Sequence, residues 1–329
     1  MNIPLKQQHL LVVRYQPLIF ADFEMEPEKK EFLQELLQTP TFHILLLGDI
    51  GTGKTSLLQA IVREYYKDIP MEQYRDNVLS INSSKEQGIQ YFRNEVKTFC
   101  QTHSCVPHHK KIIVLDDIDL VNEQSQQVFR NCMDKYKNNV HFIASCGNLQ
   151  KVIESLQSRF IMLKLHPFQK DSLERIFRHI QSQEGIQITP EAEQFLITLS
   201  NHSVKVMINY LEKIKLIQEP ITIDIVQQIC TNIPFSLFDS FSHYLLSKNI
   251  PEAILLLLHI YDQGYSVMDI LDQFFLFVKI TPLFTDHVKY EMIPLICKYI
   301  TIFYDIHEDE IELTLFSQEL MDVMHQKTK

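Results

Sequence analysis

Tryptophan is absent from this 329-residue chain, and glycine is scarce, with seven residues in all. So little glycine gives weight to any place where glycines gather. Three of them, Gly48, Gly51 and Gly53, lie within six positions. The six cysteines (100, 105, 132, 146, 230 and 297) form no CxxC pair, which speaks against a disulfide scaffold and for free thiols in a reducing compartment. Long apolar runs are missing too. The longest aliphatic stretch, AILLLLHI at 253–260, falls far short of the ~20 residues of a membrane span. The opening MNIPLKQQHL has no basic segment followed by an apolar one, so no secretory signal is expected. These absences describe a soluble intracellular protein with no membrane partner. Arginine is absent from 231 to 329, where 6 Lys face 14 Asp or Glu, and that tail carries most of the net charge of −10. The acidity is therefore local. Between 85 and 111, Lys85, Arg93, Lys97, Lys110 and Lys111 outnumber Glu86 and Glu95, which leaves room for a contact with a phosphate backbone.

Up to about residue 165, short apolar runs alternate with helical patterns. HILLL (43–47), NVLSI (77–81), KIIVLD (111–116), VHFIAS (140–145) and IMLKL (161–165) read as strands, while SLLQAIVREYY and GIQYFRNEVKTFC have helical periodicity. Such alternation predicts an α/β fold with a parallel sheet covered on both faces. Beyond His166 the pattern is helical. DSLERIFRHIQSQEG has Asp171 as its expected N-cap, PEAEQFLITLS has Pro190 in its first turn, and a third helix is expected at about 203–217. The division expected is a nucleotide-binding domain at 1–165, a small helical domain at 166–230 and an all-helical domain at 231–329.

GDIGTGKT at 48–55 fits G-x-x-x-x-G-K-[ST], between an apolar strand and a helix. A tight loop over Gly48, Asp49, Ile50, Gly51, Thr52 and Gly53 converges backbone N–H groups on phosphates, helped by the following helix N-terminus and by Ser56. Lys54 supplies charge to the β- and γ-phosphates, and Thr55 a hydroxyl ligand for Mg²⁺. IIVLDD at 112–117 is an apolar strand ending in acids. Asp116 suits Mg²⁺, and Asp117 suits the polarisation of an attacking water. The two motifs imply ATP or GTP with Mg²⁺, without saying what the nucleotide is for.

INSSKEQGIQYFRNEVKTF at 81–99 resembles a segment of one family, the small subunits of replication factor C, which are clamp loaders among the AAA+ ATPases. Asn82, Ser83, Gly88, Ile89, Arg93, Lys97 and Phe99 keep the shape of the family's N-A-S-D-x-R-G-I-x-x-V-R-x-x-I-K-x-F. VVRYQPLIFADF (12–23) is similar to its V-E-K-Y-R-P opening, VFRNCMDKY (128–136) to its A-L-R-R-T-M-E-x-Y, and KVIESLQSRF (151–160) to its K-I-I-E-P-L-Q-S-R-C. IPEAILLLLHIYDQGYSVMDIL (250–271) resembles its collar. The resemblance implies a AAA+ P-loop domain, a lid and a collar. It also implies ATP and Mg²⁺ as cofactors and assembly with other subunits in a five-membered ring. The task implied is loading a sliding clamp onto primer–template DNA, in a nucleus or another replication compartment such as a viral factory. Within the opening segment it assigns Tyr15 and Pro17 to nucleotide. It makes Arg159 a finger acting in trans on a neighbour's ATP, and it puts Ser83, Ser84, Lys85, Gly88, Arg93 and Lys97 against DNA.

Departures from the pattern bear on turnover. The family's D-E-x-D is here Asp116-Asp117-Ile118-Asp119, one methylene shorter at the base. The sensor asparagine falls on Gly147, with Asn148 beside it, and the lid arginine falls near Lys205, which keeps the charge without the planar fork. Gln87 stands for an arginine in the DNA-facing segment, and Phe160 for a cysteine after Arg159. Two other readings stay open: a non-hydrolysing, ATP-bound structural subunit, and another AAA+ replication or recombination motor, which the acidic tail disfavours. Val96 and Phe99 are expected in the core, with contact to a sliding clamp as the alternative, Phe235, Phe238 and Phe241 in the core or a collar interface, and EDEIE (308–312) on a solvated surface. Cys100, His103, Cys105, His108 and His109 are competent zinc ligands at a non-standard spacing, for which a polar loop is the expected reading.

Overall fold

Runs rich in Ile, Leu and Val extend as strands because β-branched and aliphatic side chains pack well on a pleated surface buried on both sides. The computed structural model describes residues 10–83, 88–217, 220–231, 233–303 and 307–325. Its strands are β1 (His43–Leu47), β2 (Val78–Asn82), β3 (Lys111–Asp116), β4 (Val140–Cys146) and β5 (Ile161–Lys164). They form one sheet in the order β2-β3-β4-β1-β5, with every neighbouring pair parallel. The expected α/β class holds, and strand ends differ from the expected ones by a residue.

The period of two divides the strands between two cores. On one face Leu45, Ile113, Leu115, Phe142 and Ala144 pack with Phe92 and Val96 of the helical stretch 89–101 and with Phe129 and Met133 of the helix Glu123–Tyr136. On the other, Ile44, Leu46, Ile112, Val114 and Ile143 meet Leu57, Leu58 and Ile61 of the helix Lys54–Tyr65 and Leu33 of the helix Pro27–Gln38. Parallel strands place all their C-terminal ends at one edge of the sheet, and the loops leaving β1, β3 and β4 meet there.

The chain divides into two units, one of residues up to Ile180 with His202–Asn209, the other of Gln181–Asn201 with Tyr210 onward. The helix Lys170–Glu184 starts one residue before the expected cap, so Asp171 lies in its first turn, while Thr189 caps the helix Pro190–Leu199 through the Ala192 N–H. In the second unit, the helices Phe235–Leu246, Ile250–Asp262, Val267–Ile280, Asp286–Ile302 and Ile311–His325 enclose an aromatic core. Phe235, Phe238 and Phe241 are buried there, against Phe274 and Phe277 at ring distances of 5.4–5.8 Å. Ser266 and Asp269 form a reciprocal capping box that starts one of these helices. Among the described residues, no helix is long and apolar enough to cross a membrane.

Candidate nucleotide and magnesium site

The loop after β1 turns because two of its glycines take a left-handed backbone, with φ 83° at Gly51 and 89° at Gly53. A side chain at Gly51 would also collide with Ser203, whose Oγ would lie 2.3 Å from an added Cβ. Lys54 is buried at the start of the following helix, and its Nζ donates to the carbonyls of Gly48 (2.8 Å) and Asp49 (2.9 Å). An ammonium has three donors, so one more remains for a phosphate oxygen. Thr52 Oγ1 closes the turn onto the Asp49 carbonyl at 2.8 Å, and Ile50 stands out at 92% exposure at the loop tip.

β3 brings Asp116 beside this loop, where Oδ2 accepts from Thr55 Oγ1 at 2.8 Å. The carbonyl of Asp116 accepts from Ser83 Oγ at 2.6 Å, which ties the end of β2 to the end of β3. Asp117 follows in the left-handed region (φ 54°, ψ 57°), uncommon for a residue with a side chain. Its carboxyl is pushed above the ordinary aspartate range, first by burial and then by the charge of Asp116, while Lys54 opposes the shift. Asp119 turns back to accept from the backbone N–H groups of Gly147 (3.2 Å) and Asn148 (3.0 Å).

At the exit of β4 the geometry departs from what the family pattern implies. The Asn148 side chain caps the turn at Leu149–Lys151 by accepting from the Gln150 N–H at 2.9 Å, and Gly147 offers no side chain. Lys205 is exposed in the first turn of the helix Val204–Lys215, which begins where Ser203 meets Gly51. Tyr15 packs edge-on to His179 at 6.2 Å, and between Tyr15 and Pro17 the Gln16 amide reaches Ser56 Oγ (3.3 Å) and Gln59 Oε1 (3.0 Å) on the P-loop helix. A cleft of about 330 Å³ adjoins Thr52 and Gly53, lined also by Phe23, Met25, Leu165 and Phe168. Pattern reading did not find these apolar residues, because none carries a chemical signature until the fold gathers them.

The residues fit a magnesium ion. Mg²⁺ prefers hard oxygens and is held by one or two carboxylates together with substrate phosphates, and here Thr55 Oγ1 and the Asp116 carboxylate stand together beside the phosphate loop. The five candidate zinc ligands are not brought together. Cys100 is buried beside Cys132, Cys105 is exposed, and the His109 ring packs against Tyr65 and Tyr66. Among the described residues no three His, Cys, Asp or Glu side chains are grouped to hold a metal.

Arg159 lies at the other edge of the sheet. Ile161, the first residue of β5, pairs with Ile44 near the start of β1, so Arg159, in the turn just before β5, lies toward the end of the sheet opposite Gly48. Its guanidinium makes a fork to Asp134, with Nε–Oδ1 at 2.6 Å and Nη2–Oδ2 at 3.0 Å, and it also donates to the Ser155 carbonyl. This pairing holds the Asp134 carboxyl below its ordinary range. Among the residues expected against DNA, Gly88 precedes the helical stretch 89–101, in which Arg93 and Lys97 are exposed. Ser84 and Lys85, like Gln87, lie outside the described residues. A wider π-turn at Phe92–Val96 accompanies the burial of Phe92, Val96 and Cys100, and Phe99 is half-buried under Lys111 Nζ, 4.2 Å from its ring.

A protein-family model described as "ATPase family associated with various cellular activities (AAA)" matches residues 44–166. Among solved structures, the chain is similar in fold to variants of RuvB from Thermotoga maritima. One has a TM-score of 0.53 at 14% identity, covering 70% of this chain and 79% of that one. The sheet, the phosphate loop and the acids at the end of β3 agree with the family match and define the class of this part of the chain: residues 44–166 form an ATPase domain of the AAA kind. More particularly, the chain is similar to the small subunits of replication factor C. The one from Archaeoglobus fulgidus is 28% identical over 86% of this chain and 88% of its own length. Small subunit 2 from Pyrobaculum islandicum is 30% identical over 65% and 66%, and subunit 5 from Mus musculus 26% over 81% and 78%.

Proposed function

We propose that this chain is a small subunit of a clamp-loader complex, which uses ATP binding and hydrolysis to place a ring-shaped sliding clamp on primer–template DNA. The observation that carries the reading is the position of Arg159. A permanently charged fork at the opposite edge of the sheet from its own phosphate loop is of use to a nucleotide held by a neighbour. Similarity to a replication factor C small subunit over 284 residues supports the same view. The partners are other loader subunits in a five-membered ring, the clamp and DNA, in a nucleus or another replication compartment. The threefold division at 1–165, 166–230 and 231–329 into AAA+ domain, lid and collar belongs to the same proposal.

In this reading the Gly48–Gly53 backbone cradles the phosphates, and Lys54 donates to the β- and γ-phosphates. Thr55 and Asp116 hold Mg²⁺, whose charge offsets that of the phosphate oxygens. Asp117 orients the attacking water and takes its proton. A neighbour's Arg159, released from Asp134, stabilises the charge that develops on the transferred phosphoryl group. Tyr15, Pro17 and Lys205 flank the nucleotide. Ser83, Ser84, Lys85, Gly88, Arg93 and Lys97 face the DNA backbone, reading shape rather than sequence.

One observation favours a second reading, in which the subunit holds ATP and turns it over slowly. Gly147 has no side chain, so the position expected for the sensor asparagine carries no amide donor, while the Asn148 side-chain oxygen beside it accepts from the Gln150 N–H. Native mass spectrometry of the complex recovered from its source, in ATP and Mg²⁺, tests the main proposal. A five-membered assembly that weakens with Arg159→Ala supports it, and a monomer indifferent to both ATP and the substitution rejects it. DNA-stimulated phosphate release by the assembled complex separates the two readings.

A further inference from the structure

β4 delivers one side chain into the site that no pattern in the sequence singled out. Leu115 pairs with Ala144 across β3 and β4, so Ser145 stands beside Asp116 at the C-terminal edge of the sheet. Ser145 is fully buried. Its Oγ lies 2.5 Å from Asp116 Oδ1 and 2.9 Å from the backbone nitrogen of Asp117. An amide N–H can only donate, so the hydroxyl accepts there and its single proton goes to the carboxylate. Asp116 is thus held at both oxygens, by Ser145 at Oδ1 and by Thr55 at Oδ2. The same hydroxyl holds the Asp117 N–H within a left-handed turn that side-chain-bearing residues disfavour. Gly147 has no side chain and Asn148 is turned to Gln150. Ser145 is the side chain through which β4 touches both acids.

We propose that Ser145 is a positioning residue for ATP hydrolysis. Its hydroxyl aims the Asp116 carboxylate toward Thr55 and fixes the Asp117 turn, so that neighbouring acids keep separate roles, one toward Mg²⁺ and one toward water. The proposal rests on the reading of Asp116 as the metal-facing acid. Groups that hydrogen-bond a metal's ligands tune affinity, and removing one typically costs ~10–100-fold. A hydroxyl buried here for packing alone would leave the metal requirement untouched.

The test uses the full chain. Calorimetry follows ATP binding across a Mg²⁺ series and in EDTA, with turnover and melting temperature measured alongside. Ser145→Ala is expected to raise the Mg²⁺ concentration for half-maximal effect about tenfold while leaving ATP binding in EDTA unchanged. Ser145→Thr, which keeps the hydroxyl, restores the wild-type requirement. An unchanged requirement in Ser145→Ala overturns the proposal, as does a Thr variant of normal melting temperature that behaves like alanine. If the alanine variant does not fold, Ser145→Cys takes its place with the same expectation, since a thiol is a weak donor. Asp116→Asn separates the two levels. If it leaves the requirement unchanged, the reading of Asp116 fails; if it shifts the requirement and Ser145→Ala does not, only the role of Ser145 fails.

Discussion

The two edges of the five-stranded sheet are built from the same strands and have opposite characters. At the C-terminal edge the backbone is strained at Asp117 and left-handed at Gly51, three acids lie within four positions, and Ile50 stands in solvent. At the N-terminal edge Phe42 stacks on His141 with centroids 3.8 Å apart, Tyr66 stacks on Tyr74 at 4.6 Å, and His43 meets Phe142 edge-on. The histidines there act as acceptors. His141 Nδ1 takes the Phe42 N–H at 3.2 Å, and His43 Nδ1 takes the Phe142 N–H at 3.3 Å. Burial first, with Lys110 adding to it, pushes His43 down to about 4 and His141 to about 3. One edge holds polar groups ready for a charged ligand; the other closes itself with aromatic rings and neutral imidazoles. Arg159 is the exception, a guanidinium paired with Asp134 at the closed edge.

That contrast can be broken by substitution. Arg159→Ala should have the largest effect, about 10³- to 10⁵-fold on ATP turnover of the assembled complex. ATP affinity and melting temperature of the single chain should barely change, because the Asp134 pairing is exposed. Loss of ATP affinity in the isolated chain would instead mean that Arg159 serves its own site. Phe42→Ala, at the closed edge, should cost about 3–5 kcal/mol in denaturant unfolding and leave ATP affinity of the folded protein intact.

Acidification sharpens the comparison. His43 and His141 bind protons in the unfolded chain below its ordinary value of about 6.5, but in the folded chain only near 4 and 3. Their contribution is complete above about pH 6.5 and is lost as pH falls through that window, at about 1.4 kcal/mol per pH unit for each histidine. Chemical denaturation between pH 7 and pH 5 measures it, and a flat profile would show that the rings are not buried in the neutral form. The smallest effect expected is a gain. An added Cβ at Gly147 meets its nearest atom, Asp119 Oδ2, at 3.5 Å, an ordinary contact, so Gly147→Asn should fit. DNA-stimulated turnover should rise about tenfold, less than an electrostatic donor is worth in other active sites. No rise would mean that the missing sensor does not limit this subunit.

Some of this was readable one residue at a time. The phosphate loop needs glycines at set spacings before a lysine, and a buried parallel strand needs a continuous apolar run, so GDIGTGKT and IIVLDD declared themselves. The same held for Phe235, Phe238 and Phe241, whose helical spacing foretold burial. Ser145 could not be read in that way, because a lone serine in VHFIASC carries no period and no motif. The cleft beside Thr52 was hidden for a like reason, since Phe23, Leu165 and Phe168 are remote in sequence and ordinary as residues. Asn148 was legible only by its place beside the sensor position, and only the fold shows its side-chain oxygen capping the next turn.

Local chemistry belongs to the sequence itself. The identity of the phosphate loop, the acids that end β3, the apolar runs that become strands and the charge of the tail follow from side chains and their spacing alone. Register and approach are tertiary. Which hydroxyl meets Asp116, which carboxylate takes the fork of Arg159, and which imidazoles lose their charge all depend on strands and helices far apart in the chain. Hydrogen bonds and desolvation act over a few ångströms, and only folding brings those groups within such distances.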